Sequence, residues 1–480
     1  MVKRTSSETA KQFISFLLIL LLSLIVYNLR TPLSEESYIA FRYARNIAAG
    51  GGIVYNLGDS PSHGFSSLVW TLFCSILYEL KLHPETTINK INLILFGVFI
   101  WFFFLKRNFS LLTILFILPL IFFDFFIFCD LFSGSEIVLY SLLALSAILF
   151  FDSGRSNFSF FLAGLAAFIK SEGVILLLFI AIAEFKRSPK KALLYPIFFI
   201  CGLLALNYFL FESLIPNYIQ AAIFNAQPQL IEKFNLITVS LENNGAIILP
   251  YVVFLISLLL GNLKATTPLI YSWLSFNLLG FLFFSCPFDL KFNLMPTSLT
   301  VLCLGSESLI TKIYNLRYVV KVRKLAIVLF FSFCLFVNFQ FFIKNQNLIQ
   351  SQDVYLLIAD NYLEKIGSGE SALVESEGRI AFYLQQAKFL DWSGRTSKEI
   401  LEFRRQFKNS LSSEPFLIYL MARKPDWIII PRQLIGARQA TANKWFIDNY
   451  IFEDLYTPHY RGGIVIYRAI KHPILRYHTD

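Results

Sequence analysis

The chain has 480 residues, of which 56% are hydrophobic and only 15% charged. A soluble domain usually carries about 25% charged residues, so composition excludes an ordinary soluble protein and points to an integral membrane protein. The formal net charge of +10 suits basic cytoplasmic loops, and no basic stripe with interleaved aromatics marks a nucleic-acid site, so nucleic acid is not an expected partner.

Lys3, Arg4 and Lys11 precede a first apolar run without a small-residue cleavage site, which reads as a retained anchor. Hydropathy predicts spans near 12–29, 88–105, 109–128, 136–151, 158–170, 172–185, 192–211, 246–260, 266–285, 296–314 and 325–343, eleven in all. The apolar run 65–82 is ambiguous, and loop charge resolves it. If it does not span, alternate loops carry Lys106 and Arg107, then Arg155, then Lys186, Arg187, Lys190 and Lys191, then Lys264, then Lys312 to Lys324. The opposite loops carry Glu35, Glu36, Asp130, Glu136, Glu172, Glu212 and Asp289. The positive-inside rule therefore lays 65–82 along the outer interface and puts the C-terminus outside. Cys74, Cys129, Cys201, Cys286, Cys303 and Cys334 lie in or beside apolar runs and read as small buried hydrophobes, neither metal ligands nor disulfides.

The longest polar interruption of the first half, within the loop 30–87, runs from Leu33 to Trp70. Ser34 is a plausible N-cap, with Glu35 and Glu36 in the first turn of a helix that ends at Gly50–Gly52. Tyr38, Ile39, Phe41, Ala44, Ile47 and Ala48 share one face and Arg42 and Arg45 a neighbouring one, which predicts an amphipathic helix on the membrane surface. Carboxylates there suit a general base toward a hydroxyl or a divalent-cation ligand, and the arginines suit a lipid phosphate. Three further outer sites follow: Asp130 and Glu136 at a span start, Lys170 and Glu172 between two short apolar runs, and Asp289 with Lys291 at another helix end. A channel or transporter more often carries such groups in mid-span; a multi-pass envelope-lipid or glycan transporter or flippase is the alternative reading. From Lys344 the chain turns mixed polar and apolar. ALVES (372–376) and WIIIP (427–431) read as buried strands, RIAFYLQQ and SKEILEFRRQFKNSL as helices, and YIFEDLYTPHY with GGIVIYRAI as two strands around a turn. The expected fold class is thus a polytopic α-helical membrane protein, a transmembrane unit over 1–343 with a C-terminal α/β cap over 344–480.

The stretch EESYIAFRYARNIAAGGGIVYNLGDSPSHGFSSLVW resembles the first periplasmic loop of the GT-C superfamily of membrane glycosyltransferases. More narrowly, it is similar to the mycobacterial terminal arabinofuranosyltransferase family and its bacterial relatives, on Arg42, Tyr43, Ala44, Arg45, Asn46, Val54, Tyr55, Asn56, Gly58 and Trp70. SGSE (133–136), KSEG (170–173), IPNY (215–218), FLDWSGRT (389–396), KPDWIII (424–430) and YRGGIVIYR (460–468) continue the resemblance in order. It implies a GT-C-type fold of about eleven spans in the bacterial cytoplasmic (inner) membrane, with the N-terminus cytoplasmic and the cap periplasmic. It also implies transfer of a sugar from a polyprenyl-phosphate donor to a cell-envelope glycan or lipid acceptor. Carried over by position, Glu35 is the base with Glu36 beside it, and Arg42, Arg45 and Lys170 meet the donor phosphate. Tyr43, Asn46, Tyr55, Asn56, His63, Glu136, Glu172, Asn217 and Asp289 are expected at the substrate. No residue is assigned to a metal, and the cofactor stays open because superfamily members differ in their use of a divalent cation. The chain departs from the family pattern where Glu35 and Glu36 replace Asp, Ser171 replaces Pro and Tyr218 replaces Thr, and His63 has no clear counterpart.

Overall fold

A computed structural model describes residues 6–107, 111–225, 328–329, 332–336, 340, 354–375, 378–407, 414–432, 434, 440–456 and 463–470. The expected spans 246–260, 266–285 and 296–314, most of 325–343, and Asp289 lie outside the described residues.

The N-terminal half is helical: α1 (Ser6–Asn28), α2 (Glu35–Ala48), α3 (Leu68–Glu79), α4 (Pro84–Arg107), α5 (Leu111–Phe122), α6 (Phe125–Leu131), α7 (Ile137–Asp152), α8 (Ser156–Ile169), α9 (Gly173–Phe185), α10 (Pro189–Phe211) and α11 (Asn217–Asn225). Among the described residues, three helices are long and apolar enough to cross a membrane: α1, α4 and α10. The apolar helices α7, α8 and α9 are shorter, at 16, 14 and 13 residues. The run 109–128 does not form one span. Asp124 accepts the Ile127 N–H at 3.0 Å, an N-cap that ends α5 and restarts the chain as α6. Cys201 is exposed on α10, against the expectation of burial, whereas Cys74 and Cys334 are buried. The stretch 65–82 folds as α3, whose 12 residues are too few to span. Its outward stripe of Val69, Leu72 and Ile76 is exposed and wholly apolar.

The C-terminal region continues with α12 (Val354–Tyr362), β1 (Ser371–Val374), α13 (Gly378–Tyr383), β2 (Lys388–Asp391), α14 (Lys398–Gln406), α15 (Glu414–Arg423), β3 (Trp427–Pro431), α16 (Lys444–Asn449), β4 (Tyr450–Tyr456) and β5 (Ile464–Ala469). The five strands form one sheet in the order β2-β1-β3-β5-β4. β1 runs parallel to β2 and β3, while β5 is antiparallel to β3 and β4. Alternation along β1 and β3 divides the core. Ala372, Val374, Trp427 and Ile429 face one side, and Leu373, Ile428 and Ile430 face the other.

The first of those cores reaches outside the sheet. It includes Ile39, Ala40 and Tyr43 of α2 together with Tyr55 and Phe65 of the first loop. The other side of α2, through Tyr38, Phe41 and Ala44, packs with Trp70, Cys74, Ile88 and Phe382. The amphipathic surface helix expected here is therefore buried from two directions, with Ser37 to Ala44 all enclosed. Burying a large apolar side chain contributes about 1.5–3 kcal/mol, so α2 acts as the common core element of the first loop and the sheet.

Candidate active site

Ser34 caps α2 as expected, accepting the Ser37 N–H at 3.2 Å. The same turn grips the segment that leads into α7: Ser133 carbonyl oxygen accepts from Ser34 N at 2.8 Å and Ser37 Oγ at 2.7 Å, and Gly134 carbonyl accepts Trp70 Nε1 at 3.2 Å. Gly134 sits at φ +78°, where a Cβ would also strike Leu33, so the turn needs glycine. The result is Glu136 at the start of α7, buried, beside the N-terminus of α2.

α8 and α9 form a hairpin whose turn is Lys170–Ser171–Glu172. Lys170 Nζ lies 3.7 Å from Glu172 Oε1 and 3.9 Å from Glu136 Oε1, beyond hydrogen-bond length in both cases. Glu136 Oε1 is buried without a hydrogen-bond partner, while Ser66 hydrogen-bonds this carboxylate. Glu36 lies within electrostatic reach of both Glu136 and Lys170. Tyr218 on α11 donates to Ser171 Oγ at 3.2 Å, and Ser171 Oγ donates to Glu172 Oε2 at 3.1 Å. Burial, then the Glu172 charge, raises the Tyr218 pKa and keeps the phenol protonated.

The sheet contributes the second cation. Asp391, at the end of β2, accepts from Ser393 N and Oγ on one oxygen and from Thr396 N and Oγ1 on the other. This folds Asp391–Thr396 into a tight loop. Asn217 Nδ2 clamps it from α11, donating to the carbonyls of Gly394 at 2.8 Å and Arg395 at 2.7 Å. Arg395 is thereby aimed at the first loop. Its Nε donates to Gly64 carbonyl at 3.0 Å and its Nη1 to Glu36 Oε1 at 3.2 Å. Burial opposes the charge on Arg395, but Glu36, with Asp391 and Tyr218, more than offsets it and raises its pKa above the ordinary value. The approach is close enough to require glycine at position 64, since a Cβ there would sit 2.8 Å from both Thr396 Cα and the Tyr43 hydroxyl.

The two adjacent carboxylates thus part company. The Glu36 side chain is 40% exposed and faces Arg395 and the Lys170 cluster. The Glu35 side chain is 13% exposed and holds the sheet unit: Oε2 accepts the Arg379 main-chain N–H at 2.8 Å and Oε1 pairs with Arg379 Nε at 3.1 Å. The expectation that Glu35 is the base meets a carboxylate already bound at the N-terminus of α13.

Arg42 and Arg45, expected at a donor phosphate, are likewise engaged elsewhere. Arg42 is 5% exposed. Its Nε donates to Tyr55 carbonyl at 2.8 Å, Nη1 to Ala381 carbonyl, and Nη2 to Asn56 Oδ1 at 3.1 Å and Ala387 carbonyl at 3.2 Å. Burial lowers its pKa from the ordinary arginine value. Arg45 stacks on Phe382 at 3.8 Å and donates to the Phe382 carbonyl at 3.2 Å. Both are braces between α2 and the sheet unit. Other expected substrate residues serve the same junction. Tyr43 bonds Ser62 at 2.7 Å, and Asn46 donates to the carbonyls of Val54 and Tyr55. The Tyr55 ring packs on Tyr43. Asn56 pairs with both main-chain groups of Phe389 at 2.9 Å, capping the edge strand β2. His63 Nδ1 meets Asn207 Oδ1 at 2.6 Å and its ring stacks on Phe211; burial lowers its pKa to about 4, so it stays neutral.

Of the expected site residues, Glu36, Glu136, Lys170 and Glu172 converge, with Asn217 holding the loop that completes the cluster. Arg395, Tyr218, Ser171 and Ser66 join them without having been singled out as site residues. One signal pointed to Arg395: it follows the C-terminal end of a parallel strand, where open α/β sheets place their ligands. Among the described residues, no group of three His, Cys, Asp or Glu side chains is spaced to hold a metal ion.

No protein-family model matches the sequence, and no curated protein matches it. The fold is similar to that of ArnT from Cupriavidus metallidurans. The apo crystal structure aligns with a TM-score of 0.57 at 10% identity, covering 96% of this chain and 98% of that one. The crystal structure bound to undecaprenyl phosphate aligns with a TM-score of 0.55 at 9% identity, covering 95% and 97%. The likeness spans both the helical half and the sheet, so the chain has an ArnT-like fold.

Proposed function

We propose that this protein is a membrane glycosyltransferase that moves a sugar from a polyprenyl-phosphate donor to a hydroxyl of an envelope glycan or lipid, at the outer face of the membrane. The observation that carries this reading is the convergence of one half-exposed carboxylate, Glu36, with two cations, Lys170 and Arg395, where the helical bundle meets the sheet. A transferase of this kind needs a base for the acceptor and positive charge for the departing phosphate. The first-loop resemblance and the fold shared with ArnT, which binds undecaprenyl phosphate, support the same reading.

In this scheme Glu36 takes the proton of the acceptor hydroxyl as its oxygen bonds to the anomeric carbon. The anomeric C–O bond breaks on the opposite face, and polyprenyl phosphate leaves with the electron pair. Lys170 and Arg395 hold the phosphate, and Glu136 and Glu172 hold Lys170. The apolar stripe of α3 rests in the outer lipid interface beside the site, near where the donor's polyprenyl chain enters.

The test compares Glu36→Gln with Glu35→Gln in transfer from polyprenyl-phosphoryl sugars by protein in lipid nanodiscs. Loss of the base costs about 10²–10⁴-fold in kcat, whereas Glu35→Gln still accepts the Arg379 N–H and loses less than about tenfold. Full activity in Glu36→Gln sinks the assignment. Comparable losses in the two variants would return the base to either carboxylate.

A further inference from the structure

Two adjacent residues at the start of α11 each reach the mounting of one of the two cations assigned to the donor phosphate. Asn217 Nδ2 donates to the carbonyls of Gly394 at 2.8 Å and Arg395 at 2.7 Å, which fixes the main chain from which the guanidinium projects. Tyr218 reaches the other cation through two hydroxyls. Its phenol donates to Ser171 Oγ at 3.2 Å, and Ser171 Oγ donates to Glu172 Oε2 at 3.1 Å. A hydroxyl has one proton to give, so this chain runs in one direction and ends on the carboxylate. With Oε2 so engaged, Glu172 presents Oε1 to Lys170 Nζ, 3.7 Å away. Lys170 is thus oriented by the Glu172 charge without donating a hydrogen bond to it.

α11 is anchored independently of both cations. The Tyr218 main-chain N–H donates to His63 carbonyl at 3.1 Å, and the His63 ring meets the Tyr218 ring edge-on at 5.7 Å. Further along, Gln220 Oε1 accepts from Arg405 Nη2 at 3.0 Å, and the Arg404 guanidinium lies over Phe224 at 5.0 Å, which ties α11 to α14. The turn behind Lys170 is equally tight, since a Cβ on Gly173 would strike the main chain of Ala166 and Ala167. Successive helical residues point about 100° apart, so Asn217 and Tyr218 can serve two different elements from one rigid support.

Resting on the transferase reading above, we infer that α11 sets the separation of the two phosphate-binding cations, with Asn217 and Tyr218 as positioning residues for the donor phosphate. Tyr218 acts on Lys170 through Ser171 and Glu172, and Asn217 acts on Arg395 through the Asp391–Thr396 loop. Two cations held from one helix are preorganised for a single phosphate group, so less ordering remains to be done when it binds. Breaking either link leaves both charges in the molecule and weakens the donor's hold.

The experiment measures the Kd and stoichiometry of undecaprenyl phosphate binding to the full chain in nanodiscs. Tyr218→Phe, Ser171→Ala and Asn217→Ala are each expected to weaken binding about fivefold at full stoichiometry, and Lys170→Met and Arg395→Met at least about tenfold. In the Lys170→Met background, Tyr218→Phe has no further effect, because the cation it positions is gone; in the Arg395→Met background it keeps its fivefold effect. Ser171→Ala breaks the same chain at its middle and stands in should Tyr218→Phe fold poorly. An unchanged Kd, a loss that persists in full on Lys170→Met, or a fall in stoichiometry at constant Kd (the mark of a merely structural role) overturns the positioning assignment and leaves the transferase reading intact. Failure of wild type to bind overturns both.

Discussion

Replacing Arg42 by methionine separates a brace from a phosphate ligand. Methionine keeps much of the apolar stem but removes four hydrogen bonds, three of them to the main-chain carbonyls of Tyr55, Ala381 and Ala387. It also removes the guanidinium stacked over Tyr55 at 4.9 Å and Phe389 at 5.0 Å. A buried acceptor left without a partner costs about 1–3 kcal/mol. The recovered desolvation of the charge offsets part of three such losses. The net is about 4 kcal/mol, from three carbonyls at about 1–3 kcal/mol each less the desolvation recovered. Thermal unfolding of the purified protein reads this directly, and hydrogen exchange locates it: amides of α13 and β2 exchange faster while those of α8 and α9 do not. Lysine at 42 rescues only a fraction, because a point charge cannot span three carbonyls. Stability within about 0.5 kcal/mol of wild type, accompanied by loss of undecaprenyl phosphate binding, would refute the brace and restore Arg42 to the donor phosphate.

Two further predictions concern the loop that presents Arg395 and the sheet beside it. Gly64→Ala places a methyl 2.8 Å from Thr396 Cα and is expected to push the Asp391–Thr396 loop outward. The expected cost is about 1–3 kcal/mol, with activity falling further than stability because Arg395 loses its aim; unaltered activity rules out the close approach. Glu375, just past β1, has its pKa pushed up to about 7 by burial, with Arg404 opposing and Asp391 adding to the rise. A carboxyl with a raised folded pKa contributes stability that is full below its unfolded value and is lost as pH rises through about 7. Wild type is therefore expected to lose stability between about pH 5 and pH 8, and Glu375→Gln to flatten that slope in denaturant titrations; parallel slopes refute the assignment.

Much of the scaffold is legible without coordinates, and each case has a local cause. Ser34 caps α2 because an N-cap is a short-range contact between a hydroxyl and an N–H three residues on. WIIIP forms β3 over the same five residues expected, because a run of β-branched residues ending at proline admits little else. The break at Lys170–Glu172 is visible because ionisable residues cannot continue an apolar helix. The first-loop pattern also draws attention to the stretch Glu35–Trp70, which supplies Glu36 and Ser66 to the cluster.

What the chain's own order hides is which side chain meets which partner across hundreds of residues. Glu35 and Glu36 are adjacent and chemically alike, yet a helix turns successive residues by about 100°, since 3.6 complete a turn. That rotation hands Glu35 to Arg379 and Glu36 to Arg395, 344 and 359 residues away. Arg42 and Arg45 look like a polar face for lipid until the sheet arrives to supply carbonyls. Ser171 and Tyr218 each depart from the family pattern in isolation, and only folding shows that they bond each other. The sequence by itself pointed to a membrane protein, to several of its helices, to strands β1, β3, β4 and β5 and to the first loop, because these follow from hydropathy, periodicity and caps; the break between α5 and α6 and the strand β2 did not follow from them. Only the tertiary structure decided that α2 is the core of a junction and that Glu36 and Arg395 face each other within it, because burial and charge pairing depend on what the rest of the chain brings to each face.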